Sequence, residues 1–516
     1  MLNSLLRNFK GLTPGVVIAA LVVGGAVAYA IAFSDYYLVL FMAPFFALGA
    51  ARARHPVILL ALSLIPALLL LGGSVLKYAL TGVPLVSYDR YFLRQNLLIL
   101  ACNDWRVAAA LVVTLVVTLL YVRILLSGRG AFSRFERWSM LVLVLVLVCG
   151  GVILDARHWD RNFVDWEMTL GTPSLRTLVM SSQIPKPQLH ILASAEAAPA
   201  GEDTPLRPPA GPLPDIFLIL QESTFPPDLL RPGFEAQSLF SKSAPHSGPL
   251  HVNTFAGATW KTEFSVTTQI RPQEFGNDGL YVFHQLEGRI RRSIFTRLKA
   301  LGYRTMVFYP VPGNFINARS FYESIGVDEF YDPEALGISA GWDWNVSDAR
   351  FYEAMLKQIG NRKTPVVAMM LTINQHGPHD NHDPLADYVA RFEQSDKAYG
   401  DFLQSLAGRS RPAGVVTFGD HQPEFTARFL ADHSAWYFTA YDIRCVNFDC
   451  AKTSGRGGRP LDVVLLTSVA LEDFGFGLDG LSALQRSLFR DCDDDVTRCG
   501  EPARSRFDTA FARYVD

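Results

Sequence analysis

The sequence of 516 residues is too long for one ordinary domain and predicts at least two. Lysine and arginine number 47 against 49 aspartate and glutamate, a formal charge of -2. This balance excludes the dominant basic surface that a nucleic-acid partner requires. Hydrophobic residues make up 49% of the chain, and their excess sits in the first third.

That third holds five apolar runs, at 12–33, 37–51, 57–76, 107–126 and 140–154, each with few or no charges. A membrane-spanning helix needs roughly 20 apolar residues, with about 17 as a floor. The first, third and fourth runs qualify outright, while the second and fifth rely on their flanks. Five such runs with little polar sequence between them predict a membrane domain of about five spans over 1–155, rather than buried core helices. Arg7 and Lys10, then Arg52 and Arg54, then Arg129, Arg134 and Arg137 all fall on one side of five spans. The N-terminus is therefore predicted to be cytoplasmic and everything after Leu154 outside. Arg90, Arg94 and Arg106 belong to the outer loop 77–106, which reads as lying against the interface. The first span is too long, and too closely followed by others, for a cleaved signal peptide.

Residues 156–214 begin with an amphipathic, aromatic juxtamembrane segment ("RHWDRNFVDWEM") and continue into an Ala- and Pro-rich linker. From 215 to 516 the pattern changes. "DIFLILQES", "YRTMVFYP", "PVVAMMLTIN" and "AGVVTFGDH" are unbroken apolar runs that end in polar residues. Such runs suit strands buried on both faces of a largely parallel sheet. Helix-like stretches at 288–301 and 348–359 alternate with them, which predicts an α/β layered domain. Ligands of such sheets bind at the carboxyl ends of the strands, and those ends carry Glu222, His376 and the pair Asp420–His421. Cys445, Cys450, Cys492 and Cys499 lie in the part placed outside, where disulfides persist. The simplest pairing is Cys445–Cys450 and Cys492–Cys499, among three connectivities that four cysteines allow.

Glu222, Asp420 and His421 offer two oxygen ligands and one nitrogen ligand for a divalent cation with an open position. Residues 254–264, "TFAGATWKTEF", place Thr259 among small residues. A threonine hydroxyl is a poor nucleophile, and coordination to such a cation would supply the activation it lacks.

In chain order, "LILQES", "GATWKTEFSV", "TINQHGPH" and "VVTFGDHQPE" resemble the successive motifs of the lipoteichoic acid synthase family. That family comprises sulfatase-like membrane enzymes of the alkaline phosphatase superfamily. The resemblance extends to the layout: an α-helical membrane domain of about five spans, a linker, and an α/β sulfatase-like, alkaline phosphatase-type extracytoplasmic domain. Carried over by motif, Thr259 resembles the phosphorylated nucleophile. Glu222, Asp420 and His421, with Thr259, resemble the ligands of a manganese, magnesium or zinc ion. His376 resembles the histidine that contacts the transferred headgroup, and Arg319 a phosphate-contacting arginine. Where the family often has a histidine before Gly-Asn, this chain reads "PVPGN", with Pro312. Asp348 reads as a helix N-cap.

The remaining candidates are weaker. His379 and His382 crowd a polar loop beside His376, with His379 the better placed to line a pocket. His246 and His251 flank the strand before the threonine loop and read as structural. Lys261 reads either as a phosphate contact or as an exposed loop charge, and Trp260 as packing beneath the loop.

The resemblance implies transfer of phosphoglycerol from phosphatidylglycerol, through a phospho-threonine, to a cell-envelope glycan or glycolipid. The enzyme would be a multi-pass protein of the bacterial inner membrane with a periplasmic catalytic domain. Phosphoethanolamine transfer and ester hydrolysis share the same chemistry. A true sulfatase would need a C/S-x-P-x-R context, which "TWKTE" does not supply. The non-enzymatic alternative is an envelope-glycan-binding pseudo-enzyme.

Overall fold

The computed structural model describes 56–81, 105–127 and 204–500, apart from 242–245, 339–345, 378, 381, 452–457, 491 and 493–498, together with a few single positions elsewhere. The chain divides into two compact units, Met1–Ile184 and Pro185–Asp516.

In the first unit two of the apolar runs are helices, Pro56–Thr81 and Trp105–Ser127. Trp105–Leu126 is the one helix among the described residues long and apolar enough to cross a membrane, and Ser63–Lys77 is a shorter apolar stretch. Apolar side chains on these helices, such as Leu68, Val112 and Leu119, are exposed. Lys77 pairs with Asp89 at 2.8 Å where the polypeptide leaves the first of these helices. The runs 12–33 and 140–154, and most of 37–51, lie outside the described residues, so five spans stand as an expectation.

The second unit is built on one eight-stranded sheet. Its strands are β1 (Asp215–Gln221), β2 (His246–His251), β3 (Arg304–Phe308), β4 (Glu329–Tyr331), β5 (Val366–Leu371), β6 (Ala413–Gly419), β7 (Phe438–Val446) and β8 (Leu461–Asp462). Their spatial order is β4-β3-β5-β1-β6-β7-β2-β8. The first five are mutually parallel, whereas β7 is antiparallel to both β6 and β2. The sheet is thus mixed, with a parallel half made of the four apolar runs and β4. Every residue of β1, β5 and β6 is buried, because helices cover both faces.

Side chains alternate across the sheet. Phe217, Ile219, Met306, Ala368, Met370 and Val415 share a core with helices Asp348–Ile359 and Pro384–Ala407. On the alternate positions Met369 meets Tyr322, and Gly414 lies against Phe474. Helix Asp348–Ile359 spans the expected residues, but its N-cap is Ser347, whose side chain accepts from the Arg350 amide, and Asp348 is the first helical residue. The stretch expected to be helical at 288–301 reduces to Ile294–Lys299, because the Ser293–Thr296 capping box starts the helix late. The end of the expected linker is not free chain. Arg207 pairs with Gly477 through two backbone hydrogen bonds, and the Gly480 amide donates to the Thr204 carbonyl. Cys445–Cys450 and Cys492–Cys499 are both disulfides.

Candidate active site

Strands β5, β1 and β6 are adjacent and parallel, so their carboxyl ends open onto one place. Glu222 follows β1 and Asp420 and His421 follow β6. The two loops are packed hard together: a Cβ on Gly419 would lie 1.9 Å from the Thr224 carbonyl oxygen, so only glycine fits. The turn after Glu222 brings the Ser223 amide 2.7 Å from Asp420 Oδ1, to which it donates. Thr262 anchors the other side by donating to the Asp420 carbonyl at 2.8 Å.

Thr259 is not on a loop. It is the first residue of helix Thr259–Thr268, entered through Ala256, Gly257 and Ala258, all at positive φ. Gly257, at φ 152°, takes a conformation that favours glycine, and each left-handed alanine beside it costs about 1–2 kcal/mol. The Ala256 amide donates to the Gln422 carbonyl at 2.9 Å, tying the turn to the β6 loop. The helix begins at Thr259 itself, without a side-chain cap, so its positive end lies beside the Thr259 hydroxyl.

Thr259 Oγ1 donates to Glu222 Oε2 at 2.9 Å and lies 3.5 Å from His421 Nε2. His421 Nε2 is 3.5 Å from Glu222 Oε1 and 3.3 Å from Asp420 Oδ2. Ligand atoms of Glu222, Asp420 and His421, all three buried, lie within 4.8 Å of one another.

Burial would raise the Glu222 carboxyl, but the hydrogen bond and charge of His421 bring it down to about 2. Burial and the neighbouring Glu222 push Asp420 up to about 8. Burial disfavours the imidazolium of His421, yet Asp420 and Glu222 outweigh it and raise the group to about 9. The cluster therefore holds protons where it lacks positive charge. Asp420 Oδ2 is buried with no hydrogen-bond partner among the described residues. Two buried carboxylates and an imidazole, with Asp420 Oδ2 receiving no hydrogen bond, fit a divalent cation, which would replace those protons.

The other expected residues take varied places. His376 is half-buried on the loop after β5, and its charge lowers the Glu222 carboxyl. Arg319 forms an ion pair with Asp332 at 2.7 Å and lies 4.7 Å over the Phe330 ring. Lys261 is buried in the helix, which removes its reading as an exposed loop charge. Trp260 stacks on Tyr281 with ring centroids 5.4 Å apart. The His379 side chain is largely buried, in T-shaped contact with Phe425 and Tyr388, and burial followed by Arg391 lowers it to about 4. His382 is exposed. His246 and His251 pair with Asp473 and Asp462.

Two residues gain roles that sequence reading missed. Asp348 is buried and accepts from the Ile373 and Asn374 amides at 3.2 Å and from Ser395 Oγ at 2.7 Å, fixing the loop that leads to His376. Glu263, fully buried one helical turn after Thr259, accepts from the hydroxyls of Tyr322 at 2.6 Å and Tyr309 at 3.3 Å. Reading "TWKTEF" with a helical period would have placed Glu263 on the Thr259 face.

Residues 214–446, which hold strands β1 to β7 and the Thr259 helix, match the Sulfatase family model. Among curated proteins, the chain is 29% identical over 246 residues to an uncharacterised protein of Haemophilus influenzae, covering 41% of this chain and 44% of that one. It is 25% identical over 185 residues to the lipoteichoic acid synthase-like protein YvgJ of Bacillus subtilis, covering 33% and 29%. The chain spans less than half the length of these relatives. Among solved structures, it is similar to the Streptococcus pyogenes phosphoglycerol transferase GacH in complex with sn-glycerol-1-phosphate. That likeness has a TM-score of 0.48 and 16% identity, over 65% of this chain and 91% of the other. The zinc complex of the periplasmic domain of EptC from Escherichia coli is similar with a TM-score of 0.40 and 12% identity, over 55% and 88%.

Proposed function

We propose that this protein is a metal-dependent transferase that moves a phosphoglycerol headgroup from phosphatidylglycerol to a cell-envelope glycan or glycolipid. The transfer passes through a phospho-threonine at Thr259. The observation that carries this reading is the Thr259 hydroxyl, set at a helix N-terminus and hydrogen-bonded to a buried Glu222–Asp420–His421 cluster. Glu222, Asp420, His421 and Thr259 would hold the cation. Manganese, magnesium and zinc all suit this donor set. When bound, the ion supplies Lewis acidity that favours the threonine alkoxide and offsets phosphoryl charge.

The chain's own residues do the rest. In the first half-reaction the Thr259 hydroxyl loses its proton and its oxygen bonds to phosphorus, while the bond from phosphorus to diacylglycerol breaks and the departing oxygen takes a proton. In the second, an acceptor hydroxyl bonds to phosphorus with loss of its proton, the bond to Thr259 breaks, and the Thr259 oxygen takes a proton back. Dividing the transfer removes the need to hold donor and acceptor together. The positive end of helix Thr259–Thr268 favours the anionic phosphoryl group. His376 contacts the transferred headgroup in this reading, and Arg319 binds the phosphodiester. In this reading the domain lies on the periplasmic side of the inner membrane, and the apolar N-terminal helices keep the site at its lipid donor.

The test is to incubate the purified full chain with metal and either phosphatidylglycerol or phosphatidylethanolamine, then measure diacylglycerol. Release from phosphatidylglycerol supports the proposal. Release only from phosphatidylethanolamine moves the assignment to phosphoethanolamine transfer, and release from neither refutes both.

A further inference from the structure

Glu263 plays no part in the chemistry just described, yet it is a fully buried carboxyl one turn behind Thr259. Its two hydrogen-bond donors come from different elements. Tyr309 follows β3, and Tyr322 lies on helix Ala318–Ser324, which also carries Arg319. Tyr309 and Tyr322 pack against Phe330 with ring centroids 5.6 and 6.1 Å away. Phe330 is the ring over which the Arg319 guanidinium lies, and its carbonyl accepts from Arg319 Nη1 at 3.2 Å. A continuous chain of contacts therefore runs from the Thr259 helix through Glu263 and the two tyrosines to Phe330 and Arg319. Gly313 leaves that end no slack, because a Cβ there would sit 2.8 Å from Phe330 and 2.9 Å from Arg319 Nε.

We infer that Glu263 is a positioning residue that sets the register of the nucleophile helix against the element bearing Arg319. The physical reason lies in directionality. Apolar packing alone lets a helix slide or rotate by a fraction of an ångström, whereas one buried carboxyl receiving two hydroxyl donors fixes its place on both sides. A displacement of about 1 Å in such a constellation is enough to lower a rate roughly 100-fold. The inference rests on the proposed role of Arg319 for its effect on activity, but not for its effect on the two helices.

The test uses the full chain and two readouts. Tyr322→Phe removes one donor and keeps the ring, and Glu263→Ala removes the acceptor. Both should reduce diacylglycerol release from phosphatidylglycerol about tenfold or more, and Glu263→Gln, which still accepts and donates, should restore most of it. In an Arg319→Ala background the same changes should have much less effect, because residues acting through one another are not additive. Hydrogen exchange should quicken together in Thr259–Thr268 and Ala318–Ser324 in Tyr322→Phe. Full additivity with Arg319→Ala, or unchanged exchange in both helices, would overturn the inference. If the wild-type protein releases no diacylglycerol, the transferase reading falls while the exchange experiment still decides this one.

Discussion

Thr259 Oγ1 and Glu222 Oε2 are 2.9 Å apart, although one begins a helix and the other ends a buried parallel strand. The chain enters that helix through Ala256, Gly257 and Ala258, all at positive φ. Under the proposed function, that backbone strain beside buried carboxylates would hold the Thr259 hydroxyl in place for attack.

Replacing the hydroxyl should therefore remove the activity and spare the fold. Thr259 is half-buried and sits at the start of its helix. For Thr259→Ala we expect a fall in headgroup transfer by roughly three orders of magnitude or more, with a melting temperature within a few degrees of wild type. Steady-state transfer and a thermal melt on the same preparation check this.

Metal binding should release protons. In the metal-free cluster Asp420 titrates near 8 and His421 near 9, so at pH 7 both carry protons that a cation must displace. Apparent affinity should rise with pH from 6 towards 9 and level off above it, with about two protons released per ion at pH 7. Calorimetry of manganese binding in buffers of different ionisation enthalpy measures this number. Asp420→Asn should lose most of the affinity and one of the protons.

Glu263 should make the metal-free protein lose stability as pH rises from about 4.5 to about 8. Burial first, and then the charges of Glu222 and Asp420, raise its pKa to about 8, against the opposing hydrogen bond from Tyr322. An acid whose pKa is raised on folding favours the folded state only while protonated. Its stability contribution is thus full below the unfolded value of 4.5 and is lost as pH rises towards 8. Glu263→Gln has no such proton to lose. The variant's melting temperature should gain on wild type between pH 5 and pH 8.5, and parallel curves would contradict the assignment.

Asp348 should matter for stability. Its carboxyl satisfies the Ile373 and Asn374 amides and the Ser395 hydroxyl in a buried place. Leaving those donors unmet costs about 1–3 kcal/mol each at most. Asp348→Ala should destabilise the catalytic unit by a few kcal/mol and quicken hydrogen exchange in residues 372–376, while Asp348→Asn should cost less.

The sequence made the parallel half of the sheet legible for a physical reason. Strands β1, β3, β5 and β6 are almost wholly buried, so they read as unbroken apolar runs, and their polar ends mark the site. The antiparallel half did not read that way. Strand β2 is "HSGPLH", largely half-exposed and containing Pro249, and β7 mixes Asp442 and Arg444 into its length. The metal-type residues were recognisable because they end strands. Asp348 and Glu263 were not, because their partners lie 25 to 59 residues away and only the tertiary fold joins them. Burial of Lys261 and of the His379 side chain was not legible for a related cause: a charged residue in a polar stretch gives no sign that a helix or an aromatic pair will cover it.

The central claim is a covalent headgroup on Thr259. Intact-mass and peptide-mass analysis of the full chain, incubated with phosphatidylglycerol and manganese and no acceptor, tests it directly. A phosphoglycerol adduct confined to the peptide containing Thr259, and absent from Thr259→Ala, is the predicted result. Metal-bound protein that forms no adduct and frees no diacylglycerol, or that carries the adduct on another residue, would contradict it.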